Sequence, residues 1–141
     1  MPTVEEDVAF GPLNMGLPPE EVARRVTVAL DRVGMAAVRE RAPYHLSAGE
    51  KRAVAIASVL SMMPDILVMD EPSSSLDIRG RRRLVELLRS FEHTRIIATH
   101  DLALVAEVCT RVLILDGGRI VADGPAREIL NDRALLDAHL G

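Results

Sequence analysis

Apolar residues recur at helical spacing through the first part of the chain. Those between residues 22 and 33 fall on one face of a helix that is predicted to start at Pro18 and Pro19, with Glu20 and Glu21 in its first turn. A second helix is predicted to begin near residue 47 and to end before Pro64. Residues 1–19 contain several prolines and glycines, which predict a loop with one short helical turn around residues 4–10.

Beyond Met63-Pro64 the spacing changes to short apolar runs that alternate with helical segments. The predicted strands span residues 66–69, 94–98, 111–115 and 119–122, the predicted helices span about 79–90 and 102–108, and short helices follow to the end. Such alternation predicts a parallel sheet covered by helices. We therefore divide the chain into a helical part, residues 1–63, and an α/β part, residues 64–141.

The stretch ILVMDEPSSSLD, residues 66–77, ends an apolar run in two carboxylates, Asp70 and Glu71. The run predicts a strand buried on both faces, as in a parallel sheet. Ligand chemistry gathers at the carboxyl ends of such strands, and acids there commonly hold magnesium and prepare a water for attack on phosphate. His100 directly follows another apolar run, IIATHD, which places it at an equivalent strand end.

Ser47 and Glu50 allow two interpretations. A serine with a glutamate three residues later forms a capping box, which needs no ligand. The same helix start also presents free amides, a hydroxyl and the positive end of the helix dipole to an anion such as a terminal phosphate. The two residues alone leave both interpretations open.

Composition limits the chemistry further. The 141 residues are 48% hydrophobic, carry a net charge of −4 and include one cysteine, so we expect no nucleic-acid surface and no disulfide within the chain. The usual phosphate loop ends in Gly-Lys-Ser/Thr, but the single lysine, Lys51, follows a glutamate. The sequence also has no glutamine, no signal peptide and no apolar segment long enough to span a bilayer.

The order of these motifs resembles the nucleotide-binding subunit of ABC transporters. A signature helix, a strand with Asp-Glu, a Ser-Leu-Asp loop and a strand with histidine follow one another across nearly the whole chain. The resemblance implies an α/β fold with the parallel sheet of P-loop NTPases, here its carboxyl-terminal half, together with a helical subdomain. It also implies ATP and Mg²⁺ as cofactors.

The resemblance also assigns roles. Glu71 polarises the attacking water, His100 is the γ-phosphate switch and Asp70 belongs to the magnesium strand. The signature residues that contact a partner's ATP are Ser47, Ala48, Gly49 and Glu50, and the dimer-contact loop is Ser74, Ser75, Leu76 and Asp77. Residues 112–124 look like the family's closing hairpin.

Two departures from the family pattern stand out. Ala48 occupies a position where the family usually has glycine, and we expect function to be kept because the added methyl is small. The family's β subdomain, with its base-stacking aromatic residue, phosphate loop and coupling glutamine, is absent. Residues 3–22 together with 46–57 look like the energy-coupling-factor and cobalt or nickel importer branch, so we expect Met1 to fall inside a longer reading frame.

This branch implies transport of a metal ion such as cobalt or nickel, or of a vitamin. The implied partners are a second ABC ATPase subunit, a transmembrane coupling subunit and a substrate-binding membrane subunit, with no nucleic acid, at the cytoplasmic face of the membrane. An alternative is a non-catalytic module that lends its signature helix to a full-length subunit. A DNA-repair relative with the same signature is less favoured, because residues 3–22 look importer-like and no coiled-coil heptad is present.

Overall fold

The computed structural model describes residues 2–140, and this part of the chain contains seven α-helices and four β-strands. The helices are α1 (Val4–Asn14), α2 (Pro19–Arg32), α3 (Ala48–Leu60), α4 (Ile78–Ser90), α5 (Leu102–Val108), α6 (Ala126–Asn131) and α7 (Arg133–Leu140). The strands are β1 (Ile66–Asp70), β2 (Thr94–Ala98), β3 (Arg111–Asp116) and β4 (Arg119–Pro125). Short 3-10 turns at Ala36–Val38 and Pro43–His45 connect α2 to α3.

Local capping fixes where the main helices begin. The side chains of Ser47, Asp77 and Asp101 accept hydrogen bonds from amides in the first turns of α3, α4 and α5. The predicted positions of α2, α3, α4 and α5 are confirmed to within a few residues. The helical spacing of apolar residues is clear in these segments, although α2 begins at Pro19 without a side-chain cap.

The strands form two separate pairs among the described residues. β1 pairs with β2 in parallel, with Asp70 opposite Ala98. β3 and β4 form an antiparallel hairpin, turned by Gly117 and Gly118, whose φ angles are +54° and +75°. The predicted parallel pairing is therefore confirmed, and the predicted hairpin is present as well.

β1 is buried on one face only. Leu67 and Met69 point into the core, whereas Ile66 and Val68 are 58% and 68% exposed. The expectation that this strand is covered on both faces is wrong for the described residues, because their helices pack against a single face of the β1–β2 pair. Within the same residues, no helix is both long and apolar enough to cross a membrane.

The hydrophobic core is continuous across residue 63. One cluster of buried side chains joins α1, α2 and α3 to β1, α4 and α5, and its largest fully buried members include Leu30, Leu88 and Leu104. The helical and α/β parts therefore share a core, and their division into two domains stays a prediction.

α1 is longer than the sequence predicted. Thr3 and Glu6 form a capping box, with the Thr3 amide 2.8 Å from Glu6 Oε2 and the Glu6 amide 3.2 Å from Thr3 Oγ1. From that cap the helix continues through Gly11 and Pro12 to Asn14. The predicted loop with one helical turn is therefore wrong.

A hydrogen bond from α3's carboxyl-terminal cap explains how α1 tolerates Pro12. Proline has no backbone N–H, so it cannot donate to the carbonyl of Val8 one turn earlier. The buried hydroxyl of Ser61 lies 2.9 Å from that carbonyl oxygen, and also 2.9 Å from the carbonyl oxygen of Ser58, so its one proton is within reach of the Val8 carbonyl. Since Val8 is fully buried, no water would otherwise supply a donor.

We expect Ser61→Ala to lower the free energy of unfolding by about 1–3 kcal/mol, because a buried carbonyl loses its donor. In a Pro12→Ala background the new amide can donate to Val8, so the same change should cost clearly less. Urea denaturation of the four proteins of this double-mutant cycle measures the difference. Ser58→Ala, which removes a half-buried hydroxyl from the same helix, is the control. Equal costs in both backgrounds would contradict the assignment.

Candidate functional site

Glu71 lies immediately after β1 in an unusual backbone conformation. Its φ angle is +45°, in the left-handed region that residues other than glycine rarely adopt. Its amide donates to the carbonyl of Ala98 at 2.8 Å, so the pairing with β2 continues one residue past the strand. This bond places Glu71 beside the two residues that follow β2.

Those two residues, Thr99 and His100, bind the Glu71 carboxylate. Oε1 lies 2.7 Å from His100 Nδ1 and accepts the His100 amide at 3.1 Å, while Oε2 accepts the Thr99 hydroxyl at 3.3 Å. The predicted catalytic residues, Glu71 and His100, are therefore in direct contact.

The contact shifts both pKa values. The hydrogen bond from the His100 side chain lowers the pKa of Glu71, opposed in part by burial, and the same bond raises the pKa of His100. Because the His100 side chain is 86% exposed, solvent screens much of this interaction. Glu71 is thus an ionised carboxylate at neutral pH that can accept a hydrogen bond from water.

Asp70 lies at the same strand end as Glu71, but its side chain has different surroundings. Its side chain is exposed and forms no hydrogen bond or ion pair with the rest of residues 2–140. Mg²⁺ in phosphate-transfer sites is commonly held by one or two carboxylates together with substrate phosphates. A single free carboxylate fits that requirement, and no cluster of three or more potential ligands occurs in the described part of the chain.

The start of α3 forms the capping box that the sequence suggested. The Ser47 amide donates to Glu50 Oε2 at 2.8 Å, and Ser47 Oγ accepts the Glu50 amide at 3.3 Å. The bond from the Ser47 amide lowers the pKa of Glu50. Ala48 is exposed and the space around Gly49 is open, so a ligand can approach the helix start. The box uses Ser47 as an acceptor and leaves its hydroxyl proton for an anion, so both interpretations remain compatible.

The loop between β1 and α4 is held partly by α5. Ser73 Oγ donates to Asp101 Oδ2 at 3.0 Å, and Asp77 Oδ1 accepts the Gly80 amide at 2.7 Å as the cap of α4. Ser75 is exposed with a φ angle of +62°, and Leu76 packs against the core. The role of residues 74–77 in dimer contact stays a prediction.

Two of the predicted groups line one cavity. It measures about 410 Å³ and lies between the start of α3, the loop before α4 and α4 itself. Its lining includes Ser47, Gly49 and Glu50 from the signature and Ser75, Leu76 and Asp77 from the loop. The lining does not include Asp70, Glu71 or His100, which lie at the strand ends.

Arg52, which sequence reasoning missed, connects α3 to the loop after β1. Its Nη1, which carries two N–H groups, lies within hydrogen-bond distance of three carbonyl oxygens, those of Glu71 at 3.0 Å, Pro72 at 3.5 Å and Ser74. Nothing in the sequence separates this arginine from the other basic residues on helices. Thr99 was also missed, although its position directly before His100 on a strand end was a usable signal.

Comparison with known proteins gives one family model that matches residues 20–106, described as "AAA domain, putative AbiEii toxin, Type IV TA system". The chain is 59% identical over 136 residues to a protein of Geobacter sulfurreducens named as an ABC transporter ATP-binding protein, covering 96% of this chain and 55% of that protein. It is 45% identical over 141 residues to the energy-coupling factor transporter ATP-binding protein EcfA1 of Methanospirillum hungatei. That match covers 97% of this chain and 51% of EcfA1.

Among solved structures, cbiO1 from Clostridium perfringens, described as part of the ABC transporter complex cbiONQ, superposes with a TM-score of 0.82 at 36% identity. That match covers 96% of this chain and 56% of cbiO1. The chain therefore spans about half the length of the relatives it matches. The fold neighbours confirm the predicted α/β fold with a parallel strand pair and helices.

We expect Glu71→Gln to lower the pKa of His100 toward its ordinary value of 6.5, because the charged acceptor is lost. NMR titration of the His100 ring measures this shift, and Glu86→Gln, an exposed change on α4, is the charge-matched control. An unchanged His100 titration in Glu71→Gln would mean that the pair does not form in solution.

The pair should also contribute to stability only within a pH window. Because the pKa of His100 is raised in the folded protein, this residue contributes fully to the free energy of unfolding below pH 6.5, and the contribution is lost as the pH rises through the raised pKa. Because the pKa of Glu71 is lowered in the folded protein, this residue contributes fully to the free energy of unfolding above pH 4.5, and the contribution is lost as the pH falls through the lowered pKa. Both contributions are full between pH 4.5 and pH 6.5. Urea denaturation should therefore show the largest difference in free energy of unfolding between wild type and Glu71→Gln in this range, and a smaller difference at lower and higher pH.

Proposed function

The chain belongs to the ABC transporter ATP-binding protein family, and we propose that it supplies the signature helix and the hydrolytic residues of an ATPase that drives import across a membrane. The observation that carries this proposal is the contact between Glu71 and His100, 2.7 Å apart, at the end of the parallel strand pair. A carboxylate kept ionised beside a strand end, with an exposed imidazole bound to it, suits the attack of water on a phosphate.

In this proposal Glu71 orients the attacking water. Its carboxylate accepts a hydrogen bond from that water, while bonds from Thr99 and His100 keep the side chain in place. His100 binds Glu71 through Nδ1, and in the protonated ring, which Glu71 favours by raising the pKa of His100, Nε2 can donate to an oxygen of the γ-phosphate. The histidine thereby couples the position of the carboxylate to the presence of nucleotide.

Asp70 is the residue that would hold Mg²⁺, since its exposed carboxylate is free of other bonds in residues 2–140. The ion would supply positive charge to the β- and γ-phosphates of ATP. These 141 residues contain no Gly-Lys-Ser/Thr loop, so the lysine and the loop amides that cradle phosphate would come from protein that this sequence does not include.

The signature residues are proposed to act on a second subunit's nucleotide. Ser47, Ala48 and Gly49 stand at the exposed amino terminus of α3, where free amides and the helix dipole favour an anion. Residues 74–77 line the same cavity as the signature and are proposed to contact that subunit. The functional unit would then be a dimer of ATPase subunits around two ATP molecules.

The finer assignment is an importer for a metal ion such as cobalt or nickel, or for a vitamin. It is supported by the similarity to an energy-coupling factor ATP-binding protein and to cbiO1 from the cbiONQ complex. The proposed partners are a transmembrane coupling subunit and a substrate-binding membrane subunit, with the ATPase bound peripherally at the cytoplasmic face.

A chimera tests the hydrolytic roles. In the Geobacter sulfurreducens relative, the 136 residues that match would be replaced by the corresponding residues of this chain. We expect the chimera to hydrolyse ATP, and Glu71→Gln to keep ATP binding while hydrolysis falls about 10²-fold or more. Asp70→Asn should instead weaken magnesium-dependent binding, and His100→Ala should resemble Glu71→Gln.

Calorimetry and steady-state hydrolysis measure these two properties, with Glu86→Gln as the control. The 141-residue chain alone should show no micromolar ATP binding, since the phosphate contacts are missing. If the chimera binds ATP and Glu71→Gln retains most of the hydrolysis, the catalytic assignment is wrong. A chimera that binds ATP but never hydrolyses it would favour the non-catalytic module.

A further inference from the structure

Arg52 links α3 to the loop after β1. Among the hydrogen bonds of residues 2–140, it is the only residue of α3 that donates to carbonyl oxygens of this loop. The arginine is half-buried, one and a half turns after Ser47 on α3. A single guanidinium nitrogen, Nη1, reaches the carbonyl oxygens of Glu71, Pro72 and Ser74. Hydrogen bonds from a charged donor are stronger than those from a neutral one.

The loop that Arg52 binds is conformationally demanding. Glu71 and Ser75 both have positive φ angles, which cost energy in residues with a side chain and persist only where the surroundings enforce them. Within the loop, the Ser74 amide donates back to the Glu71 carbonyl at 3.2 Å, so the chain turns tightly. Three carbonyl dipoles therefore converge on one region, and a cation there offsets their repulsion.

The backbone conformation of Glu71 decides where its carboxylate points. With φ at +45°, the side chain turns toward the residues after β2 and meets the His100 amide and ring. If Glu71 relaxed to negative φ, its Cα–Cβ bond would change direction and these bonds would be lost. The contact with His100 thus depends on what holds the backbone of Glu71.

We propose that Arg52 is a positioning residue that holds Glu71 in its left-handed conformation and so links the nucleotide-facing end of α3 to the Glu71–His100 pair. Arg52 does not touch the reacting atoms. It acts by fixing the loop that presents Glu71.

The link makes α3 a route between two nucleotide sites. Ser47 and Gly49 stand at one end of a rigid helix, and Arg52 on the same helix holds the loop of Glu71. A shift of α3 when its amino terminus binds an anion would move the Arg52 guanidinium and the carbonyls bound to it. This regulatory consequence rests on the proposed function, whereas the positioning of Glu71 by Arg52 does not.

The positioning can be tested by NMR on the 141-residue chain without nucleotide. A positive φ at Glu71 brings its amide proton close to its own Hα and gives a strong intraresidue NOE. We expect Arg52→Gln to weaken this NOE and to speed exchange of the His100 and Ser74 amides about tenfold or more, because their acceptors on Glu71 become mobile.

Arg95→Gln is the matched control. Arg95 is also half-buried and also donates to backbone carbonyls, those of Phe91 and Val108, but it does not touch the loop. This variant should leave the Glu71 NOE and the two amide exchange rates as in wild type. Arg52→Lys, which keeps a charged donor on a shorter side chain, should give exchange rates between those of wild type and Arg52→Gln.

If Arg52→Gln keeps the wild-type NOE and exchange rates, the inference is overturned. If that variant does not fold, Arg52→Lys decides: faster exchange confined to Ser74 and His100 supports positioning, and a uniform change or none overturns it. Because these measurements need no ATP, they are independent of the chimera. A chimera that fails to hydrolyse ATP, together with the expected changes of NOE and amide exchange in Arg52→Gln, would reject the proposed function and leave the positioning role of Arg52 intact.

Discussion

The parallel register of β1 and β2 is the constraint on which the candidate site depends. It sets Asp70 opposite Ala98, so the residues that follow the two strands emerge at the same edge. The amide of Glu71 then bonds to Ala98, and His100 follows two residues later. A shift by one residue would turn Leu67 and Met69 out of the core, so burial of one strand face also secures the position of the carboxylate.

α3 connects this edge to the remainder of the protein. Its apolar residues Val54, Ala57 and Leu60 are buried in the common core, while polar residues make specific links elsewhere. Ser61, just after the helix, supports α1, and Arg52 supports the loop of Glu71. One helix therefore provides core packing, a replacement donor for a proline-containing helix and the anchor of a strained loop.

The site also shows how structural and chemical roles can coincide in one residue. Ser47 and Asp77 cap helices, and such caps alone account for their presence. Both also line the cavity between α3 and α4, and at Ser47 the open start of α3 presents amides that an anion can approach. Glu71 differs, because a helix cap or a core contact does not require its positive φ, which only the surrounding contacts sustain.

The sequence by itself determined the elements whose signals are local. Apolar periodicity placed α2 and α3, with a capping box at the start of α3, and the alternation of apolar runs with helical segments placed β1, α4, β2 and α5. Strand-end position selected Glu71 and His100 together. Tertiary structure decided what depends on residues far apart in the chain. Gly11 and Pro12 predicted a loop, but the helix continues, and a hydroxyl 49 residues beyond Pro12 lies within hydrogen-bond distance of the carbonyl that the proline leaves without a donor. Arg52 looked like any basic helical residue, because only the folded chain brings the carbonyls of Glu71, Pro72 and Ser74 within its reach.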